Sequence, residues 1–386
     1  MSVAPKRSWV SRNVIVLGTV SLLTDSASEM MVPLLPAFIM AMGAGAMALG
    51  WIEGIADAIS SVLKLFAGRW ADRIGRHKPF VVVGYSLASI ARPFMALATA
   101  PWHVLMVRGT DRVGKGLRTS PRDALIAMSV EPSQRGAAFG LHRAMDHAGA
   151  VIGPLAAAAF LYWISSDIPT LFLLTAIPGV LVIAVALFGV QEVPRLEAKP
   201  EAAPKPRALA RFLVPLGLFT LGKSSEVFLL LKASAGFDQL AMFPLLWVGL
   251  SLVKMLSSVP GGKISDRLGR RRTIAAGWLL FAAVYAALAI VENQYAVCAL
   301  IGAYGLYCGL TEGAEKALVS ELAPANKQGA AFGWYHVTLG LLALAASGMF
   351  GALYELVSSR AAFLTSATLA VASTIALWAL SRTRAA

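Results

Sequence analysis

Long apolar runs recur along the whole chain, and short polar or charged turns separate them. Each run reaches about 18 residues or more, enough to cross a hydrocarbon core of about 30 Å as a helix. Lipid leaves such a run no other structure, because its backbone groups must be satisfied within the segment. The pattern predicts twelve spans, at residues 13–40, 48–67, 79–98, 101–120, 137–164, 170–190, 212–231, 240–261, 273–291, 295–314, 331–354 and 361–380. The expected fold class is all-α and integral to the membrane. The first run carries acidic residues and is too long for the apolar stretch of a signal peptide, so it is expected to be retained.

Composition sharpens this picture. The chain is 57% hydrophobic and only 14% charged, against about 45–50% and about 25% for soluble domains. A net charge of +13 would suit a nucleic-acid partner, but its distribution argues against one. With the amino terminus inside, most of the 34 Lys and Arg fall in cytoplasmic segments, and the outer loops keep only Lys232 and Arg360. That asymmetry is the positive-inside rule, and it places both termini in the cytoplasm of an inner (plasma) membrane protein. The two cysteines, Cys298 and Cys308, share one apolar run and offer neither a disulfide framework nor a zinc spacing.

The chain is also written twice. "GAAFG" at Gly136–Gly140 returns at Gly329–Gly333, and "RDALIA" at Arg122–Ala127 faces "EKALVS" at Glu315–Ser320, both 193 residues on. "GRWADRIGRHK" (Gly68–Lys78) returns as "GKISDRLGRRR" (Gly262–Arg272), and "SASE" (Ser26–Glu29) has a weaker echo in "KSSE" (Lys223–Glu226). Four echoes in one order predict two six-helix bundles, residues 1–190 and 212–386. Residues 191–211 between them are rich in Pro, Ala and charge, which predicts a cytoplasmic linker.

Two six-helix halves, a central linker and G-x-x-x-D-R-x-G-R between the second and third helices resemble the major facilitator superfamily. The pattern is matched at Gly68, Asp72, Arg73, Gly75 and Arg76, and again at Gly262, Asp266, Arg267, Gly269 and Arg270. The resemblance implies two bundles that rock about a central cavity. In so short a turn the glycines permit close approach and a tight bend. Asp72 can accept bonds from the amino terminus of a neighbouring helix. Arg73 and Arg76 can bond carboxylates or carbonyls nearby. Contacts that form in one orientation of the bundles and break in the other would make this turn a gate.

Ionisable groups at membrane depth cost at least about 2.5–3.5 kcal/mol each, so each needs a partner or a function. Asp25 and Glu29 lie four apart on one face of the first helix, and Glu53, Asp57, Ser60 and Lys64 share a face of the second. The fourth carries Arg108, Arg112, Lys115, Arg118 and Arg122 in a single basic stripe. Asp25, Glu29 and Asp57 are candidate proton carriers, and Arg108, Arg112, Lys115 and Arg118 candidates for the substrate cavity. By depth, Asp25 and Arg112 should meet near mid-membrane. Arg108 and Gly114 resemble part of the superfamily's arginine motif, but Arg112 stands where that motif has its first glycine. In the fifth helix Gly140, Gly149, Gly153 and Pro154 resemble the antiporter motif of drug exporters, with alanines replacing the final glycine pair. There the motif implies a seal on the outward path.

No P-loop is present, since "GKGLRTS" (Gly114–Ser120) sits in an apolar helical run and lacks the required first glycine. Five scattered histidines and two cysteines assemble no nucleophile–base set, so an enzyme is not expected, nor any cofactor. The leading expectation is a monomeric secondary transporter that exports a small solute against proton entry. Uptake or exchange of an anionic metabolite, with the basic stripe as clamp, is the alternative. Divalent-metal export through Asp25, Glu29 and the fifth-helix histidines is a weaker one, because no His-rich tract accompanies the acids.

Overall fold

Proline breaks the first apolar run but sits within later helices that continue past it. The computed structural model describes residues 8–43, 46–194, 207–234 and 242–382, and among these every regular element is helical. The helices are α1 (Arg12–Met31), α2 (Leu35–Ala41), α3 (Ala46–Ile74), α4 (Lys78–Ala91), α5 (Pro101–Met128), α6 (Arg135–Trp163), α7 (Ile168–Leu174) and α8 (Ala176–Ala184). They continue with α9 (Arg207–Gly222), α10 (Glu226–Ser234), α11 (Met242–Leu268), α12 (Arg270–Leu288), α13 (Gln294–Leu322), α14 (Gln328–Leu356) and α15 (Ser359–Arg382). The first predicted span divides at Pro33 and Pro36, where a 3-10 turn, Val32–Leu34, separates α1 from α2. Proline removes a backbone donor and crowds the preceding turn, so such a break is expected there. Side chains cap several starts: Ser11 accepts from the Val14 N–H, Asp167 from Thr170 and Asn293 from Ala296.

Nine helical segments among the described residues are long and apolar enough to span a membrane. α3, α5 and α12 fall outside that set. The first two carry the charges singled out above, and α12 opens on three arginines. α5 runs through Pro121 to Met128, eight residues beyond the predicted end of its span. Arg207 to Arg211, expected in the linker, form the first turns of α9. The middle of that linker, residues 195–206, lies outside the described residues. Its beginning is docked: Gln191 exchanges two bonds with Asn13. Glu192 accepts the His77 and Lys78 N–H groups at 2.9 Å, capping α4.

α1 packs on α6, α3 and α4 pack on α5, and α12 packs on α13 and α15. Between the two sequence halves the main contacts are α6 with α11 and α3 with α14. The interiors differ in kind. Around α12 and α13 an aromatic cluster forms, with Phe219 stacked 4.6 Å from Trp278 and Phe281 4.0 Å from Tyr285. Around α5 the interior is instead filled by ion pairs.

The repeated turns meet the repeated "GAAFG" segments. Asp72, at the end of α3, accepts the Gly329 and Ala330 N–H groups of α14 at 2.9 and 2.7 Å. Asp266, at the end of α11, accepts those of Gly136 and Ala137 in α6 at 2.9 and 2.8 Å. Each aspartate thus satisfies orphan donors in the first turn of a helix from the other half. Backbones touch beside both caps, Gly68 against Gly329 and Gly262 against Gly136. Gly75 and Gly269 turn the chain with φ of 72° and 96°, the left-handed region that favours glycine. The arginines behave differently from expectation. Arg270 reaches Asp266 and Glu321, each at 2.6 Å, and bonds the Pro132 carbonyl. Arg73, Arg76 and Arg267 are exposed, and none of them makes an ion pair or hydrogen bond among the described residues. In place of Arg76, His77 meets Asp72 at 3.1 Å.

Candidate functional site

Above this double clasp, between the halves, lies a cavity of about 320 Å³. α1, α3, α5 and α6 supply one wall, and α9, α13 and α14 the other. The first wall is charged: Asp25, Lys64, Lys115, Arg118, Arg122, Arg143 and Asp146 line it. The second mixes Leu216, Phe219, Tyr307 and Leu339 with Lys223, Glu312, Glu315 and Lys316.

Asp25 reaches this space because α6 leaves room for it. A Cβ on Gly149 would stand 2.9 Å from the Asp25 Cβ and 2.5 Å from the Leu22 carbonyl oxygen. One on Gly153 would stand 2.8 Å from the Glu29 Cβ. These two glycines of the antiporter-like pattern therefore pack on α1 directly behind both acids, while Gly140 packs on the Ser258 carbonyl of α11. Pro154 sits inside α6, which continues to Trp163. Asp25 is within hydrogen-bonding reach of Asp146. Asp146 also accepts from the Ser21 hydroxyl at 2.5 Å and bonds Arg143. Arg143 crosses to Glu312 of α13 at 2.6 Å, and His147 meets the same carboxylate at 3.1 Å. Glu29 makes no ion pair among the described residues and does not line the cavity.

The basic stripe of α5 divides by depth. Arg108 forks onto Glu53 at 2.6 and 2.7 Å. Arg112 lies 3.2 Å from Glu53 and 2.9 Å from Asp57, whose side chain is 56% exposed. Neither arginine lines the cavity, and the expected meeting of Asp25 with Arg112 is not formed. Helix rotation explains the difference. Depth alone brought the two residues level, whereas Glu53 and Asp57 of α3 lie on the side that Arg112 faces. Lys115 and Arg118 do line the cavity. Arg118 is 5% exposed, stacks 4.4 Å over the Tyr85 ring, and leaves Nε and Nη1 without an acceptor among the described residues.

Several residues of the site carried no weight in the sequence. Asp111, 2% exposed, holds Arg92 at 2.8 Å and lies 3.8 and 3.9 Å from Arg108 and Arg112. Asp123, wholly buried, gathers Arg122 at 3.0 Å, and Lys316 and His336 of the other half at 2.9 Å each. A signal for the last contact existed. Arg122–Asp123 and Glu315–Lys316 are equivalent positions of the repeat with their charges reversed. Equivalent positions meet at a twofold-like axis, and reversed charge makes that self-contact attractive. Lys316 therefore pairs across the axis with Asp123 and not with its neighbour Glu315, which instead accepts from Tyr335 and Trp278.

The family model described as Major Facilitator Superfamily matches residues 17–250 and, separately, residues 227–386. The chain belongs to this superfamily. An uncharacterized MFS-type transporter of Methanocaldococcus jannaschii is 30% identical over 379 residues, covering 95% of this chain and 94% of the relative. Multidrug resistance protein MdtH of Salmonella paratyphi C is 25% identical over 309 residues, or 79% and 77%. The solved structure of the E. coli fucose:proton symporter FucP shares the fold, with a TM-score of 0.76 at 15% identity over 97% of this chain and 99% of that one. Membership makes this a multi-pass membrane protein of a transporter superfamily, whose members bind small solutes and often a coupling ion.

Proposed function

We propose that the chain is a proton-coupled secondary transporter that moves a small anion by alternating access. Twelve spans form two six-helix bundles, residues 1–190 and 212–386, joined by 191–211 and rocking about the cavity. The clasped face and both termini lie in the cytoplasm, and the protein works as a monomer in the inner (plasma) membrane without a cofactor. One observation carries this reading. Asp25, in reach of Asp146, shares the cavity with cations that have no carboxylate partner among the described residues. Arg143 and the Ser21 hydroxyl hold Asp146 as a carboxylate, so a proton shared by the two acids rides on Asp25. That proton removes a negative charge which Lys115 and Arg118 otherwise feel. A solute anion then binds them more readily, so proton and anion favour one another's binding. Asp25 is the proposed carrier, with Glu29 and Asp57 next in order, and Lys115 and Arg118 the proposed substrate contacts.

The test uses Asp25→Asn reconstituted in proteoliposomes beside the unaltered protein. Solute exchange across the membrane persists in the variant, and its acceleration by a pH gradient disappears. Full pH dependence in Asp25→Asn would place the proton on another acid.

A second reading, efflux by proton antiport, is favoured by Gly140, Gly149, Gly153 and Pro154 in α6 and by the likeness to MdtH. In that reading solute and proton compete for Asp25, which demands a solute attracted to a carboxylate. The surplus of cations beside it favours the anion reading.

A further inference from the structure

We infer that the cavity is built for an amphipathic organic dianion, a small solute with two negative charges at one end and an apolar body of aromatic size at the other. This deepens the anion reading and rests on it. The charges carry the first half of the inference. Of the cations that line the cavity, Arg122, Arg143 and Lys316 are each held by a carboxylate at 3.0 Å or less. Lys64, Lys115, Arg118 and Lys223 have no carboxylate oxygen within 4 Å among the described residues. Against these four stand only two lining carboxylates without an ion pair, Asp25 and Glu315. With Asp25 ionised, an excess of two formal positive charges remains, and burial makes it costly to leave unmatched.

Arg118 fixes where the charged end sits. Tyr85 holds one face of its guanidinium, while Nε and Nη1 have no acceptor among the described residues at 5% exposure. Buried donors without an acceptor are destabilising, so this arrangement suits a group that brings its own oxygens. Nε and Nη1 lie on different edges of the guanidinium and each shares its edge with Nη2, so a carboxylate or phosphate can take two parallel bonds along either edge. Lys115, one turn away on α5, and Lys64 on α3 line the same side. Across the cavity Leu216, Phe219 and Leu339 offer an apolar wall to the remainder of the solute. The volume of about 320 Å³ suits one small molecule, since such sites run from about 300 to 1,000 Å³.

The test is calorimetric binding to the full-length protein purified in detergent at pH 7.5. The probes are phthalate, phenyl phosphate, benzoate, inorganic phosphate and tetraphenylphosphonium. Phthalate or phenyl phosphate binds about tenfold or more tightly than benzoate, which has one charge, and than inorganic phosphate, which has no apolar body. The better of the two tells a carboxylate solute from a phosphate one. Arg118→Gln weakens that binding by about tenfold or more, and Lys64→Gln weakens it less. Should Arg118→Gln fail to fold, Lys64→Gln and Lys115→Gln carry the comparison. Failure of both dianions to bind overturns the inference, as does preferred binding of tetraphenylphosphonium or affinity unchanged in every variant. Dianion binding with proton-independent flux would leave this site standing and remove the proton coupling instead.

Discussion

Arg112 and Arg118 stand six residues apart on α5 and serve different chemistry. Arg112 is neutralised by Glu53 and Asp57, whereas Arg118 lines the cavity and has two buried donors without an acceptor among the described residues. Arg112→Gln should therefore lower the thermal unfolding midpoint in detergent while dianion affinity stays within a factor of about three. The opposite pattern, with affinity lost and stability kept, would return Arg112 to the binding site. Asp111 makes a sharper case. Its pair with Arg92 is almost wholly buried, and Asp111→Ala strands that cation, which costs about 3–5 kcal/mol. A midpoint unchanged by Asp111→Ala would contradict the pairing. The sequence showed that α5 carries a stripe of cations on one face, because helical periodicity alone decides that. It could not show which cations are already neutralised, because that depends on how α3 and α4 are rotated against α5. The positions of Glu53 and Asp111 relative to the stripe are tertiary facts.

At the scale of elements, the two repeated motifs are the two parts of one joint. An aspartate closing a helix in one half caps the first turn of a helix in the other, once in each direction. A cap is worth about 0.5–2 kcal/mol, enough to shift the closed-to-open ratio of the clasp about two- to thirtyfold. Asp266 is braced by Arg270, which also holds Glu321 and the Pro132 carbonyl. Asp72 has His77 in that place, at 3.1 Å. Asp72→Asn should consequently reduce the initial transport rate about tenfold at matched protein amounts, and Asp266→Asn less. Full activity in both variants would remove the clasp from the transport cycle. Both motifs were visible in the sequence as echoes, each read separately. Their mutual contact was hidden because it joins segments from opposite halves, residues 68–75 with 329–330 and residues 262–269 with 136–137. The docking of Gln191 and Glu192 was missed for a related reason, since a polar, proline-rich composition describes a segment's average and not its ends.

At the scale of the molecule, duplication builds the clasp and divergence builds the cavity. One half filled its interior with ion pairs and the other with stacked aromatics, so one wall of the space between them is charged and the other sets apolar side chains among its charges. Lys316 and Asp123 hold the seam where reversed charges face each other. The cation surplus on the charged wall links the solute to the proton at Asp25. The most direct test of that link follows protons while the solute moves. Proteoliposomes enclosing a pH-sensitive dye, with equal pH on both sides, are given external phthalate, and protein-free vesicles supply the background. The account predicts that the lumen acidifies as phthalate enters, and that Asp25→Asn abolishes the acidification while phthalate still equilibrates. Alkalinisation of the lumen during phthalate entry would show protons leaving as the anion arrives, and would contradict the account.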